Sequence, residues 1–156
     1  MKHRIAQFVV MLSLLLMGTF ALPGVTHASV QKIAQPPPPP PHCYGEQCNG
    51  RPAFGICTFG AYPVRSVDIY AQRFVIARVS IVRSPQCYTY YARIESYVGP
   101  RFESVDIRRG FLFYGSGFHY AVATNSPMVG IRPFVTVYAT GNFNYHSINY
   151  SASVFV

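Results

Sequence analysis

The sequence predicts an all-β fold: a small sandwich or barrel of six to eight short antiparallel strands, stapled by disulfides. Three observations carry this prediction. After Pro52 apolar residues recur with period two, in β-branched and aromatic residues, and no ten-residue segment holds a period of 3.6. Turn signals break the chain at short intervals, at Ser84-Pro85, Gly99-Pro100, Gly115-Ser116-Gly117, Asn125-Ser126-Pro127 and Gly141-Asn142. Four cysteines, an even number, follow an export signature, which favours disulfides over metal ligation.

The export signature comes first in the chain. Lys2, His3 and Arg4 make a positive start, Ile5 to Phe20 is uncharged and apolar, and Pro23-Gly24 ends the run before Thr26-His27-Ala28 offers small residues to a signal peptidase. About 16 apolar residues are fewer than the ~20 that a spanning helix needs, so residues 1–28 read as a signal peptide cut after Ala28. The expected product is secreted and extracellular, with no membrane span and no cysteine placed for a lipid anchor. Residues 29–42 form a polar and polyproline linker; Pro36 to Pro41 predicts an extended rod of roughly 19 Å. Residues 43–156 then make a single β-rich domain. Removing Lys2 and Arg4 from 13 basic residues leaves 11 against 5 acidic ones, so the exported chain is basic. Its arginines are scattered, which suits general solubility as well as attraction to polyanions.

The cysteines are spaced C-x4-C-x8-C-x29-C, without the close pair that zinc requires and with only His42 nearby, so no metal or cofactor is expected. Three pairings are possible. The favoured one joins Cys57 to Cys87 across a long loop and Cys43 to Cys48 as a small local ring, making Cys43 to Pro52 a rigid collar on the domain.

The strands follow in order. Asp68 is flanked by Val67 and Ile69. In Arg73 to Arg83, Val75, Ala77, Val79 and Ile81 share a wholly apolar face and the other face is mixed, as in a central strand. Ala92 and Ile94 alternate with Arg93 and Glu95, and Val105 and Ile107 with Asp106 and Arg108. Each puts apolar groups inward, and the later chain continues in kind: Phe118, Tyr120 and Val122 around His119, Val135 and Val137 after Pro133, and Ile148, Tyr150, Ala152, Val154 and Val156 against Asn149, Ser151 and Ser153. Ser66-Val67-Asp68-Ile69 recurs as Ser104-Val105-Asp106-Ile107, a weak hint of an internal duplication.

Cys43-x4-Cys48-Asn49-Gly50-x-Pro52, Cys57, Arg83-Ser84-Pro85-x-Cys87 with Ala92-Arg93-Ile94, and Ser126-Pro127-Met128-Val129 together resemble the YjfA-like family of exported bacterial proteins, a domain of unknown function. The resemblance covers roughly residues 43 to 140. It departs at Arg51, where that family carries an acid, and at Arg83-Ser84-Pro85, which lacks the family's tyrosine. It implies export, disulfides and a small β domain, and no activity or ligand.

Candidate chemistry is sparse. The carboxylates are Glu46, Asp68, Glu95, Glu103 and Asp106, and the histidines of the exported chain are His42, His119 and His146. Glycoside hydrolysis needs two carboxylates across one bond, whereas Asp68, Glu95 and Asp106 fall on polar strand faces. His119 and Asp106 could be drawn into a triad with a serine, but no G-x-S-x-G elbow accompanies them. Binding fits better. Tyr88, Tyr90, Tyr91 and Tyr97 bracket Arg93, and tyrosine beside arginine on an open sheet suits stacking on a sugar or peptide, unless these rings fill a core poor in large aliphatics. The absence of a clustered phosphate track disfavours nucleic acid. The sequon Asn149-Tyr150-Ser151 falls in a predicted strand and is discounted as an acceptor. The expected function is therefore non-enzymatic binding at or near the cell envelope, to a cell-wall polyanion or glycan. The alternative is an exported hydrolase or hydrolase inhibitor acting through a surface loop.

Overall fold

The computed structural model describes residues 43–156, so the signal peptide, the polyproline linker and His42 lie outside the described residues. The fold is all-β, as expected: eight antiparallel strands in two four-stranded sheets. These are β1 (Tyr62–Ala71), β2 (Phe74–Ser84), β3 (Thr89–Ser96), β4 (Arg101–Arg109), β5 (Leu112–Ala121), β6 (Ala123–Gly130), β7 (Val137–Tyr145) and β8 (Ile148–Phe155). Sheet 1 has the order β1-β2-β3-β6 and sheet 2 the order β5-β4-β7-β8. Strand direction alternates along the chain, so the connections fall at two ends. The collar end holds the β2–β3, β4–β5 and β6–β7 connections, and the far end holds the other four.

Apolar alternation explains the sandwich. Ala77, Val79 and Ile81 of β2 and Ala92 and Ile94 of β3 face Val105 and Ile107 of β4 and Ala139 and Phe143 of β7, all buried in one core. Burying each large side chain is worth about 1.5–3 kcal/mol. The alternation read from Ala92 to Glu95 and from Val105 to Arg108 holds, charges outward.

Both disulfides form as favoured, Cys43–Cys48 and Cys57–Cys87, with Cα separations of 5.2 and 5.3 Å. Together with Ala53, Val82, Tyr91 and Met128 the cysteines make a second core on the outer side of sheet 1. The collar, with single 3-10 turns at Gly45–Cys48 and Gly55–Thr58, also covers the β6 edge. The Gly50 amide donates to Met128 O (2.9 Å) and the Met128 amide to Arg51 O (2.8 Å). The Gly130 amide donates to Asn49 Oδ1 (2.7 Å). An edge paired in this way cannot recruit a foreign strand.

Three turn signals prove to be strand interior: Gly115-Ser116-Gly117 lies in β5, Asn125-Ser126-Pro127 in β6 and Gly141-Asn142 in β7. The reasons are tertiary. A Cβ on Gly117 would meet Asn125 O at 2.1 Å, and one on Gly141 would meet Val79 Cγ2 at 2.3 Å, so both glycines permit close approach of the sheets. Pro127 sits at an irregularity of the β3–β6 ladder, where the Ala92 amide donates to the Ser126 hydroxyl (2.9 Å); proline belongs at such edges. The repeated Ser-Val-Asp-Ile occupies an edge strand, β1, and a central strand, β4, so the two copies are not equivalent.

Candidate ligand-binding face

The tyrosine and arginine group is not assembled on one surface. Tyr90 joins Ala92 and Ile94 on the inner face of β3 and packs against the main core. Tyr91 points outward beneath the collar and is only 2% exposed; burial pushes its phenol up, against the opposing pull of Arg93. Arg93 is half-buried on the outer face and pairs with Glu95 at 2.8 Å. Tyr88, at φ 52° in the β2–β3 turn, stacks on Tyr44 at 5.5 Å. Tyr97 lies beyond the other end of β3, beside Arg78 at 5.9 Å, a strand length of about 30 Å away. Period two sends neighbours to opposite faces, so adjacent tyrosines cannot form one platform.

The outer face of sheet 1 is largely satisfied within itself. Arg78 holds Asp68 by two hydrogen bonds, 2.6 and 3.2 Å. That pairing keeps the Asp68 carboxyl below its ordinary range.

Sheet 2 presents a different surface. Its register places Tyr120 and Phe102 in one row with Asn144 and Asn149, and Phe118 and Ser104 in the next with Asn142 and Ser151. The following row runs Ser116, Asp106, Thr140, Ser153, and the last brings Phe113, Arg108, Tyr138 and Phe155 together. Short hydroxyl, amide and carboxylate groups thus form a floor with aromatic rings at both ends. At the far end Phe102 stacks on Phe118 (6.1 Å) and meets Tyr120 (5.0 Å). These three rings are exposed, Phe118 to 64%. A groove of about 350 Å³ opens there, lined by Phe102, Phe118, Phe143, Ser104, Asn142, Asn144 and Asn149. The amides are positioned by the strands: Asn142 Nδ2 donates to Ser104 Oγ (3.2 Å) and Asn144 Nδ2 to Asn149 Oδ1 (2.8 Å).

Reading Phe118 and Tyr120 as an inward apolar set is therefore corrected. β5 is an edge strand whose inner positions include Gly117, close under β6, which leaves no room for large rings on that side. The signal that could have found this face was the alternation in β4, where Phe102 shares parity with Ser104 and Asp106.

The remaining chemical residues are dispersed. Asp106 pairs with Ser116 on the outer face, whereas His119 pairs with Glu103 on the inner parity, so the drawn triad lies on opposite faces of the sheet. Glu103 is 1% exposed and neither carboxylate oxygen makes a hydrogen bond. Burial pushes its pKa up, while the Thr124 hydroxyl dipole and the Arg93 charge act the other way. Glu46 binds Arg132 and Arg109, which hold its carboxyl below the ordinary range. Among the described residues no His, Cys, Asp and Glu cluster is arranged to hold a metal ion, and no helix is long and apolar enough to cross a membrane. The disulfides are consistent with an extracellular protein. Comparison with protein-family models, characterised proteins and solved structures finds no match.

Proposed function

We propose that the protein is a secreted, non-enzymatic binding domain that acts at or near the cell envelope by holding an uncharged glycan on the outer face of sheet 2. The observation that supports it is the groove in which exposed phenylalanine rings stand against asparagine amides and a serine hydroxyl, with no charged residue in the lining. A sugar ring offers an apolar C–H face for stacking and hydroxyls at its edge for amides, and this lining supplies partners for both. The absence of basic groups from the groove favours a neutral glycan over a polyanion. Export and kinship with the YjfA-like proteins belong to this proposal.

Retention of the purified protein on insoluble cell-wall polysaccharide, with soluble oligosaccharides as competitors, tests the reading. Phe118→Ala and Asn142→Ala should each weaken retention about tenfold, as expected for losing roughly 1–2 kcal/mol of stacking or hydrogen bonding, without lowering the melting temperature. Tyr88→Ala and Tyr97→Ala should have no effect, and added salt should change little. Retention abolished by salt and indifferent to Phe118 and Asn142 would overturn the assignment.

A further inference from the structure

At the collar end two loops place apolar side chains side by side with nothing packed on their tips. Gly110 and Phe111 form the two-residue turn between β4 and β5, and residues 131–136 join β6 to β7. The Gly110 amide donates to Thr136 O at 2.9 Å, which docks one tip against the other. Phe111 and Phe134 are each 106% exposed, so both rings stand wholly clear of the protein. Leu112, Phe113 and Val135 are exposed beside them. Phe134 holds φ 62°, a left-handed conformation unfavourable for a bulky residue, and it projects outward from that conformation.

Charge is distributed unevenly along the same axis. Arg51, Arg65, Arg83, Arg108 and Arg132 lie in the collar half of the strand register, with only Glu46 and Asp106 against them; Arg109 is also there but is buried, bound to Glu46, Gly130 O and the Tyr114 hydroxyl. Arg73, Arg78, Arg93 and Arg101 share the far half with Asp68, Glu95 and Glu103. The basic surplus is therefore concentrated at the end that carries the two rings. Arg108 lies 5.6 Å from the Phe113 ring, next to the β4–β5 tip. Rings projecting from a convex end bury little area against a rigid partner, whereas a fluid surface encloses them completely. Basic groups just behind the rings match the negative potential of lipid headgroups.

We infer that the collar end is a peripheral membrane-docking site: Phe111 and Phe134 insert at the interface of an anionic lipid surface, with the exposed Arg51, Arg65, Arg108 and Arg132 against the headgroups. This is a different surface from the glycan groove, at the opposite end of sheet 2 from Phe102 and Tyr120.

Co-sedimentation of the purified protein with phosphatidylcholine vesicles, with and without phosphatidylglycerol, tests it. The native protein should sediment with the anionic vesicles and be released by salt. Phe111→Ser combined with Phe134→Gly should reduce binding at least tenfold at unchanged melting temperature, because glycine suits the left-handed φ at 134 and the 111 side chain packs on nothing. Phe118→Ala should bind vesicles like the native protein, which keeps failure of this inference separate from failure of the glycan reading. Absence of vesicle binding, or equal binding by the loop variant, would overturn it. So would a native dimer that the loop variant converts to monomer without any vesicle binding, since the rings would then be covered by a second copy of the chain.

Discussion

Glu103 is the residue most out of keeping with its surroundings, a carboxyl enclosed between two sheets with no hydrogen-bond partner. Burial raises its folded-state pKa above the ordinary 4.5. The folded protein thus binds this proton more tightly than the unfolded chain, and the group's contribution to stability falls as pH climbs above about 4.5. Glu46 and Asp68, held low by arginine, act in the opposite sense: their contributions are present above the unfolded pKa and are lost as pH falls through the folded one. Glu103→Gln should therefore raise the melting temperature at pH 7 by several degrees, an advantage that disappears on acidification toward pH 4. Calorimetry across this range checks it; a variant less stable at pH 7 would show that the carboxylate is compensated in the folded state. Glu103 could be read in the sequence as one of five acids, but its parity with buried Val105 and Ile107 was the only sign of enclosure.

Among the elements, the collar has the clearest division of labour. Cys57–Cys87 spans 30 residues and crosses from the collar to the end of sheet 1, whereas Cys43–Cys48 spans 5 and closes only a local ring. In the chain-entropy model the longer loop stabilises by about 4 kcal/mol and the shorter by about 2. Replacing the Cys57–Cys87 pair with alanine should lower the melting temperature by on the order of 10 °C, roughly twice the effect of replacing Cys43 and Cys48. Equal losses would show that the collar is held chiefly by its hydrogen bonds to Met128 and Gly130. The pairing could be favoured from spacing, but the collar's use as a cover for the β6 edge could not. It depends on hydrogen bonds, backbone and Asn49 side chain alike, between residues some 80 positions apart.

For the molecule as a whole, the distance between the sheets sets the sequence at their contact points. Gly141 stands where a Cβ would lie 2.3 Å from Val79 Cγ2 and 3.1 Å from Ile94 Cδ1. Gly141→Ala should destabilise the fold by about 1–3 kcal/mol, as overpacking does. Adding Val79→Ala should recover part of that loss, an interaction between the two sites that denaturant melts of single and double variants would measure. Strict additivity would mean that the contact is relieved elsewhere. The same close approach explains why glycines at 117 and 141, and the Ser-Pro at 126–127, looked like turns: their composition matches turn chemistry, and only a facing sheet or a covered edge shows the other use.

The sequence by itself determined the all-β class, the disulfide framework it favoured and the inward and outward assignment of β2, β3 and β4. Those properties follow from local periodicity and cysteine spacing, which need no partner strand to be read. Tertiary structure decided which aromatics meet. Tyr88, Tyr90, Tyr91 and Tyr97 are neighbours in the chain and are dispersed by the strand's alternation. Phe102, Phe118 and Asn142 are distant in the chain and are brought together by the β5-β4-β7 register. Surface chemistry on a sheet is composed across strands, and the register between strands is fixed by pairing and packing, not by any one segment.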